Sequence, residues 1–165
     1  MTADDDERWL VIDGRRWRRT DPAIPEALRA ELVGELMAAR RAVKDGAPDA
    51  RARVHDAKVA LGERGEPWWE PDRDLRDRIE RATRTLLRRR EGGTVCPSEV
   101  ARVVDGERWR SRMSLVREVA AAMPEVVVLQ RGEVVDPASA RGPVRLGFSP
   151  AGASPPARAR RTRPG

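Results

Sequence analysis

Few side chains in this sequence are able to do chemistry. It holds one cysteine, Cys96, and one histidine, His55. Cys96 stands in TVCPSEVARVV, directly before Pro97, Ser98 and Glu99. That order reads as a helix start, with Cys96 at the N-cap, proline at N1 and glutamate at N3. A thiol at a helix N-terminus is a candidate nucleophile of lowered pKa. It needs a base within reach, and His55 lies well upstream, on a segment whose apolar spacing reads as structural. Cys96 is therefore expected to fill a corner of the core as a small hydrophobe, and a thiol enzyme is the least favoured of three readings. One cysteine allows no internal disulfide, and one cysteine with one histidine makes no protein-only zinc site. The carboxylate pairs Asp72/Asp74 and Asp4–Glu7 fall in charge-compensated or terminal stretches and make no acid–base pair. The expectation is a non-enzymatic protein with no catalytic residue, metal or cofactor.

What remains is electrostatic. The net charge is +6, and Lys44 and Lys58 are the only lysines among 33 basic residues. The charge is uneven: residues 1–70 carry 13 basic and 15 acidic side chains, residues 71–165 carry 20 and 12. A basic second half points to an anionic partner, nucleic acid first. Nine arginines are the candidate contacts. Arg110 and Arg117 flank the outer face of a helix over about 112–123, Arg131, Arg141 and Arg145 lie on or beside a β-hairpin, and Arg158, Arg160, Arg161 and Arg163 lie in the C-terminal tail. The outer face of that helix offers Ser111, Ser114, Leu115, Glu118 and Ala122, without the Asn, Gln and clustered Arg that read base edges. The expected binding is accordingly non-specific and salt-sensitive. The alternative partner is another protein, met by the tryptophan-rich N-terminal segment, since five of the six aromatics are Trp. No apolar run approaches the roughly 18 residues of a membrane span, and MTADDDER lacks the apolar core of a signal peptide. A cytoplasmic protein without a membrane partner is expected.

The elements that must position these groups follow from turn residues and apolar period. RWLVIDGRRWRR reads as a β-hairpin around Asp13-Gly14, pairing Leu10 with Trp17 and Ile12 with Arg15. Leu10, Ile12 and Trp17 then share a face, expected to pack inward. A helix follows with Leu28, Leu32, Leu36 and Val43 in one stripe, then a second with Ala50, Val54, Ala57 and Leu61. Trp68-Trp69, bracketed by Pro67 and Pro71, is expected to plug this first unit. A third helix carries Leu75, Ile79, Ala82 and Leu86, with Asp74–Arg78, Asp77–Arg81 and Glu80–Arg84 spaced as i,i+4 pairs and Arg88-Arg89-Arg90 left unpaired. A short helix from Pro97 to about Val104, a turn, the 112–123 helix and the strands of VVVLQRGEVVDP and GPVRLGF complete the order of a winged helix-turn-helix. The predicted class is α+β, mainly α. Residues 1–7 are expected to be disordered, 8–71 a hairpin-and-helix unit, 72–148 a winged-helix-like domain, and 149–165 a disordered basic tail.

The run TVCPSEVARVV … WRSRMSLVREVA … VVLQRGEVVDPASARGPVRLGF resembles a small bacterial family of unknown function with the pattern CPSEVAR, W-R-x-x-M, Q-R-G, D-P-x-x-A and R-G-P-[IV]-R-L. The resemblance covers about residues 75–148. It implies a winged-helix-like fold and supplies no catalytic residue, cofactor or substrate. Residues 8–69, with DGRRWR, LMAARRAV and AKVALGERGEPWW, resemble a second small module of unknown function.

Overall fold

In the computed structural model, which describes residues 3–150, the chain runs α1 (Ala3–Arg8), β1 (Trp9–Ile12), β2 (Arg15–Arg18), α2 (Glu26–Lys44), α3 (Ala50–Ala60), α4 (Arg76–Arg89), α5 (Pro97–Val104), α6 (Trp109–Ala122), β3 (Val126–Gln130), β4 (Glu133–Val135) and β5 (Arg145–Phe148). The class is mixed α and β, dominated by helix, as the sequence predicts. Residues 3–7, expected to be disordered, are helical and form α1 together with Arg8, which was expected to open the hairpin. Asp4, Asp5 and Asp6 occupy the first turn and Arg8 the last, each at the end of the helix dipole that favours it. Arg19 Nε holds the segment by donating to the backbone carbonyls of Asp6 at 2.8 Å and Trp9 at 3.2 Å.

Asp13 and Gly14 both take positive φ, 50° and 73°, as a two-residue hairpin turn requires. The register pairs Leu10 with Trp17 and Ile12 with Arg15. The face carrying these residues does not pack inward. Leu10 is 36%, Ile12 54% and Trp17 43% exposed. Alternation decides which side chains share a face, but not whether another element covers it. The opposite face is the anchored one. Trp9 meets Trp69 edge-on at 5.7 Å, Trp69 meets Trp68 at 5.1 Å, and Trp68 Nε1 donates to the Arg19 carbonyl at 3.1 Å. Trp68 and Trp69 are half-buried. They staple the hairpin to the body rather than plugging the helical unit.

Leu28, Leu32 and Leu36 of α2, Ala57 and Leu61 at α3, and Leu75, Ile79, Ala82 and Leu86 at α4 are buried, each set at helical spacing. They continue into Val100, Val103 and Val104 of α5, Val116 and Val119 of α6 and Leu146 of β5, so one apolar core runs through both halves of the described chain. α4 packs against α2, α3, α5 and α6.

The arginines of α4 serve that packing. Arg78 is 6% exposed and makes no pair with Asp74. It donates instead to Asp21 Oδ2 at 2.9 Å, the Ala60 carbonyl at 3.2 Å and the Val103 carbonyl at 3.0 Å. Arg81 keeps its i,i+4 partner Asp77 and also reaches Asp56 on α3; Arg84 keeps Glu80 and reaches Glu125. Arg88 and Arg90, expected to be unpaired, bind Asp56 and the carboxylates of Glu31 and Glu99.

The sheet has the order β4-β3-β5, antiparallel throughout. Its β3–β4 turn is Arg131-Gly132, both at positive φ. Val95, between α4 and α5, adds an antiparallel bridge to Leu146 on β5. Ser149, expected to begin the disordered tail, donates its N–H to the Glu125 carbonyl at 2.8 Å. Arg158, Arg160, Arg161 and Arg163 lie outside the described residues.

Candidate nucleic-acid interface

The Cys96 corner is structural in every contact it makes. The Cys96 N–H donates to Glu99 Oε2 at 2.8 Å, closing the α5 N-terminus, and Ser98 Oγ donates to Cys96 Sγ at 3.0 Å. Arg90 locks Glu99 from the other side with two hydrogen bonds of 2.9 Å. Cys96 is half-buried, where the sequence reading places it in the core. His55 has Arg64 as its polar neighbour, 3.5 Å away, and no contact with the thiol.

α6 begins at Trp109, earlier than the expected start near Arg112. Asp105, which caps α5, gathers Arg112 at 2.8 Å and Arg108 at 3.5 Å, and Ser111 Oγ donates to the Arg108 carbonyl at 2.7 Å, so the turn before α6 is held in helical order. The helix buries Val116, Val119 and Ala120, with Met123 buried just past its end. Leu115, expected on the outer face, packs partly buried against the core with Met113 and Trp109. What faces solvent is Arg110, Ser111, Ser114, Glu118, Ala121 and Ala122, with Arg117 half-buried. Arg110 and Arg117 are two turns apart on nearly the same face, about 10 Å along the axis.

Among the described residues, the arginines between 102 and 145 divide sharply. Arg108 and Arg112 reach a carboxylate within 4 Å. Arg102, Arg110, Arg117, Arg131, Arg141 and Arg145 do not, whereas Arg89 is the sole arginine of α4 without such a partner. Acidic residues interleave with the arginines throughout this half of the sequence, but folding gives the carboxylates mainly to α4 and the α5–α6 turn.

The structure brings four of the five described candidates into one band. At the start of α6 the guanidiniums of Arg110 and Arg102 both lie over the Trp109 ring, 4.5 Å and 4.4 Å from its centroid. Arg102 is absent from the sequence-derived set, because nothing in its spacing shows that α5 brings it to Trp109. Farther along, Arg117 Nη2 donates to the Gly142 carbonyl at 2.8 Å, fastening α6 to the 136–144 loop beside Arg141. Gln130 Nε2 donates to the Arg141 carbonyl, which draws the Arg131 turn toward the same loop. Arg145 stands apart. Its Nε donates to Thr94 Oγ1 at 2.5 Å and its Nη2 to the Thr94 carbonyl at 3.1 Å, on the side of the sheet next to Val95. Glu118, the carboxylate that would oppose a phosphate, is paired with Arg76 at 3.0 Å.

Arg131 sits at φ 52° in the left-handed region, which favours Gly or Asn. A planar guanidinium with five donors suits a phosphate or carboxylate oxygen pair better than a lysine does. The band Arg102–Arg110–Arg117–Arg141–Arg131 is thus a row of exposed or half-exposed cations without acidic partners, anchored on a helix and a sheet turn. It is suited to bind a row of anions and holds no nucleophile–base pair. No curated protein matches the chain. Residues 76–149, from the first residue of α4 to just past β5, match the model of the family described as "Protein of unknown function (DUF3253)".

Proposed function

We propose that residues 72–148 form a winged helix-turn-helix-like domain that binds nucleic acid electrostatically, without strong sequence preference, as an accessory protein of the cytoplasm. The order α4, the Val95 bridge, α5, α6, β3 and β5 supports the fold assignment, with the 131–144 segment as the wing. The observation that carries the functional reading is the lack of acidic partners for Arg102, Arg110, Arg117, Arg131 and Arg141, in a domain whose other arginines are almost all paired. An arginine at a left-handed turn position points the same way, since the backbone cost implies a use for the side chain. Serines and alanines on the outer face of α6 favour phosphate contact over base reading. No described helix is long and apolar enough to cross a membrane.

A salt series of fluorescence anisotropy with labelled duplex DNA, single-stranded DNA and RNA tests this reading. With about five phosphate contacts, the logarithm of the duplex binding constant should fall against the logarithm of salt with a slope of about −4 to −5. Arg117→Ala or Arg141→Ala should each reduce that slope by about 1. The reading fails if nothing binds at low salt, or if replacing Arg110, Arg117, Arg131 and Arg141 together leaves the affinity unchanged.

A further inference from the structure

The hairpin face that the body leaves uncovered carries a second site. Leu10, Ile12 and Trp17 line a groove of about 610 Å³ between the hairpin and the helices, whose far side is Arg40 of α2 and Lys58 of α3. Arg15, Arg18, Asp13 and Glu63 complete the charged lining, four cations against two carboxylates. One of those carboxylates is already used: Glu63 accepts from Thr20 Oγ1 at 2.8 Å and stands 3.7 Å from Lys58 Nζ. Lys58 is 9% exposed, with its ammonium 5.4 Å from the Trp17 ring centroid. Arg15 and Arg40 reach no carboxylate among the described residues. The groove therefore combines three exposed apolar side chains with cations still lacking partners.

The hairpin is held in this shape from its other side. Its opposite face is fixed by the Trp9–Trp69–Trp68 contacts, and its base by Arg18 Nη1 donating to the Gly65 carbonyl at 2.8 Å and Asp21 N to the Leu61 carbonyl at 2.9 Å. Among the described residues, its two strands pair only with each other.

We propose that this groove binds an extended segment of a partner protein in which acidic and aliphatic residues are interspersed, with the aliphatic groups on Leu10, Ile12 and Trp17 and the carboxylates on Arg15 and Arg40. Charge selects that occupant. Residues 151–165 of this chain contain four arginines and no acidic residue, so their charge does not complement that of the groove. Nucleic acid would leave Leu10 and Ile12 without stacking partners and set phosphates against Asp13 and Glu63. An exposed Trp flanked by aliphatic and cationic side chains is the composition of a protein-binding hot spot. The inference is independent of the nucleic-acid reading, which uses other residues.

A library of short random peptides displayed on phage and selected against the full chain tests it. The enriched sequences should combine Asp or Glu with Leu, Ile or Val. A synthetic peptide of the leading sequence, labelled with fluorescein, should lose about tenfold or more in affinity to Arg40→Glu and to Trp17→Ser, a change of about 1.4 kcal/mol or more, and nothing to Arg117→Ala. Both substitutions are on the surface, and the parent chain gives a second readout that needs no variant: bound peptide should slow amide hydrogen exchange in residues 10–18 and leave that of residues 126–135 unchanged. The proposal is overturned by a selection that yields no enrichment or enriches basic peptides, by binding that survives both substitutions, or by displacement of the peptide with an oligonucleotide. Because nucleic-acid binding is measured separately, loss of either proposal leaves the other standing.

Discussion

Glu99 receives the N–H of Cys96 and two N–H groups of Arg90, and the same guanidinium grips Glu31 on α2. Burial pushes the Glu99 carboxyl up, yet the Arg90 hydrogen bonds and the Cys96 N–H outweigh it and hold the group below its ordinary range. Arg90 is correspondingly raised by its hydrogen bonds to Glu31 and Glu99. A carboxyl whose folded pKa lies below its unfolded value contributes stability that is present above the unfolded value and lost as pH falls through the folded one. Glu99→Gln keeps the shape and removes the charge. At neutral pH it should cost about 2 kcal/mol, the scale of charge-assisted hydrogen bonds, read from the urea midpoint. The gap from the parent should narrow as pH drops below the usual glutamate value of about 4.3. A gap constant through that range would show that the charge contributes nothing. The glutamate at N3 was legible in CPSE, because a helix start is a local pattern. Its partner Arg90 was not, because the RRR run gives no sign that a carboxylate from α2 arrives beside it.

At the scale of elements the same contrast recurs in α4. Its apolar stripe of Ile79, Ala82 and Leu86 was readable because burial repeats with the helical period. Of its charges, Asp77–Arg81 and Glu80–Arg84 pair as the spacing predicts, whereas Arg78 and Arg88 find Asp21 and Asp56, since i,i+4 spacing lists the partners available on one helix and is blind to those on its neighbours. Arg78 shows the consequence most clearly. Burial pulls its pKa down, opposed by the charge and hydrogen bond of Asp21, and its guanidinium joins the loop before α2, the end of α3 and the end of α5. Two of its acceptors are backbone carbonyls, one of them in the last turn of α5, where a cation is favoured. Arg78→Met fills much of the volume but leaves Asp21, itself 4% exposed, with no cation beside it. A loss of about 3–5 kcal/mol is expected, measured by thermal or urea unfolding, and Asp21→Asn added to Arg78→Met should recover part of it. A single substitution costing under about 1 kcal/mol would place this pair among ordinary surface bridges. The hairpin was legible in register and misread in burial for a related reason: alternation sorts side chains by face, and only the tertiary fold decides which face is covered.

At the scale of the described residues, the family-matched segment 76–149 and the segment before it share one core. One core cluster takes in Leu32, Leu61, Ile79, Val100 and Val116, with the buried Arg78–Asp21 pair beside it. The seam is also closed by backbone. At Gly106, in the turn between α5 and α6, a Cβ would lie 2.3 Å from the Ala23 carbonyl oxygen. Only glycine lets the two chain segments approach so closely. The sequence marks DGER as a turn but gives no hint that its glycine is chosen for contact with residues 21–24. The turn also precedes Trp109 and Arg110, so the body that holds the first segment also sets where the cationic band begins. Gly106→Ala should therefore force Ala23 and the loop before α2 outward, at a cost of about 1–3 kcal/mol. The parent should unfold in one transition, with tryptophan fluorescence and far-ultraviolet circular dichroism superimposing. Four of the five tryptophans belong to the first half and one to the second, so fluorescence weights the first segment while dichroism follows every helix. In Gly106→Ala the midpoint should fall and the two signals should begin to separate, fluorescence leading, because the first segment loses its hold on the α5–α6 turn. An unchanged midpoint with superimposed curves would mean that the close approach at Ala23 does not join the halves.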